Sequence, residues 1–140
     1  MKLIPFIIPL TAVFASASLV PVRYDSAFDD PNASLSTVAC SDGENGLLTK
    51  GFHTFGDLPS FSNIGGAFAI EGYNSPFCGT CWNLTDAETA TTAFIIAIDY
   101  AKDGFVIAET ALSALGGPQA VIKGKIYTSA MLVDGTHCGL

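Results

Sequence analysis

Four cysteines constrain the fold of this 140-residue chain more than any other feature of its sequence. They are Cys40, Cys78, Cys81 and Cys138, an even number. In an oxidising compartment such a set pairs into disulfides, which stabilise small domains that have a limited hydrophobic core. Two disulfides are therefore expected, and the sequence positions alone leave all three pairings open.

Cys78 and Cys81 also have the spacing of a redox motif, Cys-Gly-Thr-Cys. A thioredoxin-type site has a strand before the first cysteine and a helix after it. Here Asn74-Ser75-Pro76 precedes the motif and strand-like residues follow it, which favours structural disulfides. A zinc site built from His137 or from the cysteines is disfavoured in an oxidising compartment.

The N-terminus indicates that compartment. Lys2 supplies one positive charge, Leu3 to Phe14 is a short apolar run, and Ala15-Ser16-Ala17 fits a signal peptidase site. A membrane anchor would need about 20 apolar residues, and this run is shorter and contains two prolines. The sequence predicts a secretory signal at 1–17 and one mature domain at 18–140, located in the extracellular space or the cell wall.

The net charge of the mature domain disfavours some classes of binding partner. Without Lys2 it has five basic and 13 acidic residues, a net charge near −8. Phosphate backbones repel such a chain, which disfavours nucleic acid, and no polybasic patch is present for anionic lipid. We expect no nucleic-acid binding, no membrane insertion, and a protein that is monomeric or weakly self-associating.

Short apolar segments between glycines and polar residues predict a β-rich fold. Leu19–Tyr24 and Thr80–Thr85 have strand character, with a polar loop expected at 25–36. Ala93–Ile98 is apolar on both faces, as in a buried strand. Gly65-Gly66 is interpreted as a backbone break.

Towards the C-terminus, small and apolar residues at 108, 111, 112 and 115 share one face of a predicted helix, which Gly116-Gly117 ends. Ala120–Val133 is expected to form a long strand or a bent pair, with Ile122, Ile126 and Leu132 on one face. Six or so strands and one short helix favour a closed barrel.

One residue of the chain is a candidate for a functional role. No nucleophile elbow and no phosphate-binding loop is present, and His53 and His137 have no motif around them. Asp99 directly follows the apolar run Phe94–Ile98. A carboxylate there is costly unless it is hydrogen-bonded or functional, so it either accepts turn amide hydrogens or serves a function. The other acids are expected to be solvated: Asp29, Asp30, Asp42, Glu44, Asp57, Asp86, Asp103 and Asp134.

A set of short motifs resembles the cerato-platanin family, which comprises small secreted proteins of filamentous fungi. The most specific combination is Cys-Ser-Asp-Gly followed further along by Ser-Pro-x-Cys-Gly-Thr-Cys-Trp. The matching segments are Tyr24-Asp25, Cys40-Ser41-Asp42-Gly43, Gly46-Leu47, Asn63-Ile64-Gly65-Gly66, Asn74-Ser75-Pro76, Cys78-Gly79-Thr80-Cys81-Trp82, Ile98-Asp99, Gly104-Phe105 and Cys138.

The resemblance implies a six-stranded double-ψ β-barrel with one or two short helices, and disulfides Cys40–Cys78 and Cys81–Cys138. It implies a shallow groove that binds oligosaccharides of chitin or cellulose type without a cofactor or metal. Further family properties are expansin-like loosening of cellulose without clear hydrolysis and recognition by plants as an elicitor. A plant receptor is the partner that such recognition implies.

The same resemblance places Asp99 in the groove. Its expected neighbours are Tyr24, Asp25, Ser41, Asp42 and Asn74. The chain departs from the family at Tyr73, where a Trp is usual, and at Val106, where an Asn is common.

Two alternatives to a non-enzymatic binding protein stay open. A weak glycan hydrolase or lytic enzyme would need an acid and a base, and the sequence nominates only Asp99. A surface-active, self-assembling coat protein is compatible with an apolar content of 49%. Two glycosylation sequons begin at Asn32 and Asn83, and the second is expected to be used less readily because a strand is predicted there.

Overall fold

Six short strands close into a barrel in the computed structural model, which describes Pro5 and residues 18–140. The predicted signal at 1–17 thus lies outside the described residues, apart from Pro5. The strands are β1 (Val20–Tyr24), β2 (Ile64–Ala67), β3 (Cys81–Asp86), β4 (Thr92–Tyr100), β5 (Phe105–Ile107) and β6 (Lys125–Val133).

The strands follow one another around the barrel as β1, β5, β2, β4, β3 and β6. β1 and β5 are parallel, as are β2 and β4, and the other neighbouring pairs are antiparallel. Two short helices complete the fold, α1 (Glu109–Gly116) and α2 (Pro118–Lys123). The predicted fold class, a six-stranded barrel of the double-ψ type with short helices and two disulfides, is confirmed.

The sequence of β4 is apolar on both faces because both faces of the strand are buried. Ile95, Ile96, Ala97 and Ile98 are all fully buried, although the side chains alternate between the two faces of the strand. One hydrophobic cluster joins them to Trp82 and Leu84 of the barrel and to the buried side chains of the loops, Leu35, Val38, Leu47, Phe55 and Leu58. A buried strand is therefore confirmed, with the partly exposed Ala93 and Phe94 at its start.

α1 forms where it was predicted, with Ala111, Leu112 and Leu115 buried on one face. The expectation of a strand from residue 120 is wrong, because α2 occupies 118–123 and β6 begins only at Lys125. Proline at the first helical position and a left-handed glycine at 124 (φ 79°) begin and end this helix. Ile122 is accordingly 76% exposed on α2 and does not share a sheet face with Ile126.

Gly65-Gly66 is not a break but the centre of β2, and both residues are buried. A Cβ on Gly65 would collide with the Val106 carbonyl oxygen, and one on Gly66 would lie 2.8 Å from the Tyr100 carbonyl oxygen. Glycine is needed here because β2 packs too closely against its surroundings for any side chain.

The predicted polar loop at 25–36 contains two short 3-10 turns, Ser26–Asp29 and Leu35–Thr37, and it carries core residues. Phe28 stacks on Phe55 with ring centroids 5.9 Å apart. The loop also caps a distant helix, since Asp29 Oδ2 accepts from the Glu109 amide at 2.8 Å. Asp29 Oδ1 accepts from the amide and the hydroxyl of Thr110 at 3.1 and 2.6 Å.

We predict that Asp29→Ala lowers the free energy of unfolding by about 1–2 kcal/mol, the usual loss for a removed helix cap. The variant leaves two amides at the start of α1 without their acceptor. Asp29→Asn should recover only part of the loss, because its single amide oxygen can replace one of the two carboxylate oxygens that accept from these amides. Urea denaturation followed by circular dichroism measures both variants, and equal stability of Asp29→Ala and the parent would contradict the capping role.

Several other acids predicted to be solvated also hold backbone groups, which corrects that expectation. Asp86 is buried, at 4% exposure, and accepts from the Glu88 amide and the Thr89 hydroxyl. The amides of residues 53 and 54 donate to Asp57 and lower the pKa of its carboxyl. The amide of residue 136 lowers the pKa of Asp134 in the same way.

Candidate functional site

The Cys40–Cys78 disulfide positions a loop segment beside the end of β4. Cys40 pairs with Cys78, and Cys81 pairs with Cys138, as the family resemblance implied. The first bridge fastens the segment around Cys40 to the segment that leads into β3. The Cys40 amide also donates to the Ile98 carbonyl at 3.1 Å, so this segment passes directly beside the end of β4.

Asp99 lies within β4, one residue before its end, and is half-buried. Its Oδ1 accepts from the Ala39 amide at 3.0 Å and from its own neighbour, the Tyr100 amide, at 2.9 Å. Within residues 18–140 its Oδ2 has no hydrogen-bond partner. One oxygen therefore fixes the carboxylate to the backbone, and the other stays free to accept a hydrogen bond.

A polar corner, which we define as Asp42, Asn45, Tyr73 and Asn74, is tied to the same segment. The Tyr73 hydroxyl donates to Asp42 Oδ1 at 2.7 Å. The Asn45 amide donates to Asn74 Oδ1 at 2.9 Å, and the Asn45 side-chain amide donates to the Asn74 carbonyl at 3.1 Å. The hydroxyl–carboxylate hydrogen bond raises the pKa of Tyr73.

Ala39 connects the polar corner to Asp99. Its amide donates to Asp99, and its carbonyl accepts from the Asn74 amide at 3.4 Å. Gly43 makes the close packing of the corner possible, since it has a φ of 83° and a Cβ there would lie 2.8 Å from Asn74 Oδ1. Two of the predicted neighbours of Asp99, Asp42 and Asn74, thus belong to the polar corner, and Ser41 directly precedes Asp42 in the chain.

Ser41 follows Cys40 and is half-buried, with its carbonyl accepting from the Leu48 amide at 2.9 Å. Its hydroxyl has no hydrogen-bond partner within the described part of the chain. Ser41 therefore offers a free hydroxyl at the edge of the polar corner.

Tyr24 and Asp25 lie further away, at the end of β1. Asp99 pairs with Gly66 of β2, and Gly66 pairs in turn with Val106 of β5. Val106 pairs with Arg23 of β1, the residue before Tyr24. Three strand spacings amount to about 14 Å along the sheet. Asp25 Oδ1 also accepts from the Ala27 amide at 2.9 Å, which begins the turn at Ser26–Asp29. These two residues can join Asp99 only around an extended ligand.

The row across the sheet has little relief. Gly66 has no side chain, and Val106 on β5 is half-buried. Gly66 and Val106 therefore leave little side-chain height beside Asp99, as far as Arg23, the residue of the row that precedes Tyr24. Such a surface suits a long, flat polar ligand better than a small molecule that needs burial on all sides.

Sequence reasoning missed Asn45 and treated Tyr73 only as a departure from the family. Both make the hydrogen bonds that organise the polar corner. A signal for Asn45 was present, because Asn following Asp-Gly-Glu in a turn often bonds backbone groups. Its partner Asn74 is 29 positions away, which local patterns do not predict.

No group of three or more His, Cys, Asp or Glu side chains within Pro5 and 18–140 is arranged to hold a metal ion. In the same residues, no helix has both the length and the apolar character required to cross a membrane.

The model of the cerato-platanin family matches residues 20–140 of the chain. This chain belongs to the cerato-platanin family. It is 41% identical over 133 residues to the heat-stable 19 kDa antigen of Coccidioides immitis. The aligned region covers 95% of this chain and 90% of that relative.

Solved structures of the family agree with the fold. The crystal structure of cerato-platanin 3 from M. perniciosa has a TM-score of 0.84 and 42% identity, over 88% of this chain and 100% of that chain. The solution structure of the fungal elicitor cerato-platanin has a TM-score of 0.75 and 33% identity, over 85% of this chain and 96% of that one. The cerato-platanin barrel is therefore common to this chain and its relatives.

Proposed function

We propose that this member of the cerato-platanin family is a secreted, non-enzymatic protein that binds oligosaccharides of chitin or cellulose type on the surface between Asp99 and Tyr24. The free Oδ2 of the otherwise anchored Asp99 carboxylate is the observation that carries the proposal. An oligosaccharide presents many hydroxyl donors along a flat chain, which matches an open polar surface with a fixed acceptor.

The rigidity of Asp99 favours binding. Two backbone amides fix its Oδ1, so the carboxylate loses little conformational freedom when a ligand arrives. Ionised acceptors also make hydrogen bonds about twice as strong as neutral ones. Asp99 is therefore suited to accept sugar hydroxyls through its second oxygen, with the half-buried Tyr24 offering a ring face to a further sugar unit.

NMR titration of the purified mature protein with chitin and cellulose oligomers of increasing length tests the surface. We expect shifts at the amides of Ala39 and Tyr100 with short oligomers, because both donate to Asp99. Shifts at Tyr24 and Asp25 should appear only with oligomers long enough to cross the sheet. Shifts confined to another part of the barrel would contradict the proposed site.

We predict that Asp99→Asn weakens oligosaccharide binding about tenfold or more, since a hydrogen bond to a charged group contributes about 1.5–3 kcal/mol. The Asn oxygen can still accept from the two backbone amides, so thermal stability should be nearly unchanged. Isothermal titration and thermal unfolding on the same variant measure both quantities.

Asp134→Asn is the matched control for Asp99→Asn. It removes the same charge at a helix cap, where Asn serves as well as Asp, and it should leave affinity unchanged. If Asp99→Asn keeps its affinity but loses stability, Asp99 acts only as a structural acceptor, which is the interpretation that the sequence left open.

We predict no release of reducing ends from chitin or cellulose oligomers. Inverting hydrolysis needs a general acid whose pKa is raised, paired with a base. Asp99 is the one carboxylate that the sequence nominates, and two backbone amides already engage its Oδ1. Reducing-end assays check this, and turnover that disappears in the Asp99→Asn variant would establish the alternative of a weak glycan hydrolase.

Elicitor activity and expansin-like wall loosening form the biological part of the proposal. Support for the elicitor activity comes from the names of two relatives, a fungal elicitor and an antigen, which both describe recognition by another organism. A plant receptor is the proposed partner for elicitor activity. Defence responses in leaves and the extension of cellulose-rich walls, each measured with the parent protein and Asp99→Asn, separate recognition from sugar binding.

A further inference from the structure

We propose that Asn32 is an N-glycosylation site and that Asn83, the other sequon asparagine, stays unmodified. The sequence contains two Asn-x-Ser/Thr sequons, Asn32-Ala33-Ser34 and Asn83-Leu84-Thr85. The inference rests on the proposed secretion, because the modification takes place in the secretory pathway.

Asn32 has the surroundings of an acceptor. It is exposed in a turn, and within the described residues its side-chain amide has no hydrogen-bond partner. The backbone is fixed on both sides, since the Gly56 amide donates to the Pro31 carbonyl and the Phe55 amide donates to the Ala33 carbonyl, both at 2.9 Å. A glycan on Asn32 would therefore extend into solvent from an ordered loop and displace no contact.

Asn83 has the opposite surroundings. It lies in the middle of β3, paired with Phe94 of β4 and Met131 of β6. Its Oδ1 is buried and has no hydrogen-bond partner. Asn83 is half-buried, and a glycan on its amide would have to be accommodated between the cross-strand neighbours Phe94 and Met131, which Asn32 in its exposed turn does not require.

The chemistry is a transfer from a polyisoprenyl-pyrophosphate-linked oligosaccharide. The Asn32 Nδ2 attacks C1 of the first sugar, the C1–O bond to the pyrophosphate breaks, and an N–C1 bond forms. The Nδ2 loses one proton and the polyisoprenyl pyrophosphate leaves, so no oxidant or reductant is required. Ser34, two residues after Asn32, is the hydroxyl residue that completes the sequon.

Expression of the full chain in a secreting fungal host tests the inference, with medium and cell fractions both analysed by intact mass and peptide mapping. We expect one glycan per chain, on the peptide that contains Asn32, which a peptide N-glycosidase removes. Asn32→Gln should abolish the mass increase completely. Asn83→Gln should leave it unchanged.

Ser34 provides a matched pair of variants. Ser34→Ala destroys the sequon and should abolish the glycan, whereas Ser34→Thr keeps it and should retain the glycan. Protein in the medium with an unmodified Asn32, or with a glycan on Asn83, would overturn this inference while secretion stands. Unmodified protein confined to the cytosol would overturn both.

Discussion

Removing the Cys81–Cys138 disulfide is expected to lower the free energy of unfolding by about 4 kcal/mol, through the added freedom of the unfolded chain. The bridge joins residues separated by 57 positions and fastens the C-terminal turn to β3. Both cysteines are almost fully buried, at 1% and 4% exposure, so alanine is the appropriate replacement at both positions. Guanidinium denaturation of the double variant, followed by circular dichroism, measures the loss.

Removing the Cys40–Cys78 bridge should have a similar effect on stability but a different effect on ligand affinity. It joins residues separated by 38 positions, so its removal should also cost about 4 kcal/mol. This bridge also holds the segment that contains Ala39 beside Asp99. The Cys40→Ala/Cys78→Ala variant should therefore lose oligosaccharide affinity at temperatures where it is folded, whereas Cys81→Ala/Cys138→Ala should keep it. Equal affinity of the two variants would contradict the link between this bridge and the site.

The strands that the sequence predicted well have local signals. β1 and β3 begin within one residue of their predicted starts, because alternation and flanking polar residues are visible within a few positions. β4 was identified by its apolar run, and the structure extends it through Asp99 to Tyr100. Strand continuation past a carboxylate depends on pairing with β2, which a local pattern does not reveal.

The wrong predictions have two physical causes. Gly65-Gly66 resembles a turn in sequence, yet it lies in a strand where the backbones of β5 and β4 approach too closely for side chains. At 118–123 a proline that follows Gly117 looks like the end of a helix, but it also satisfies the first position of a new one. In both places one residue type has two structural uses, and the tertiary environment selects between them.

In the candidate site too, local sequence reveals some residues but not the long-range contacts that they make. Asp99 could be nominated because a carboxylate after an apolar run is unusual, but its bond to Ala39 spans 60 positions. Asp29 was expected to be solvated and instead caps α1 across 80 positions. Local sequence identifies which side chains are available, whereas the barrel closure determines which backbone amides they meet.

The second large effect is expected at Trp82, whose replacement by alanine should cost about 3–5 kcal/mol. Trp82 is 7% exposed, and its ring centroid lies 5.8 Å from that of Phe68 and 5.5 Å from that of Phe105. Its Nε1 donates to the Thr80 hydroxyl at 2.9 Å. Truncation therefore removes the contacts with both aromatic rings and leaves a cavity that the closed barrel can fill only in part.

Trp82→Phe is the matched control, because it keeps an aromatic ring and loses the indole donor. We expect it to retain most of the stability, with a cost well below that of Trp82→Ala. Trp82 is the single tryptophan of the chain, so unfolding of both variants must be followed by far-ultraviolet circular dichroism instead of fluorescence. A loss below about 1 kcal/mol for Trp82→Ala, the level of a surface substitution, would show that Phe68 and Phe105 close over the vacated space and that the aromatic cluster does not hold this end of the barrel.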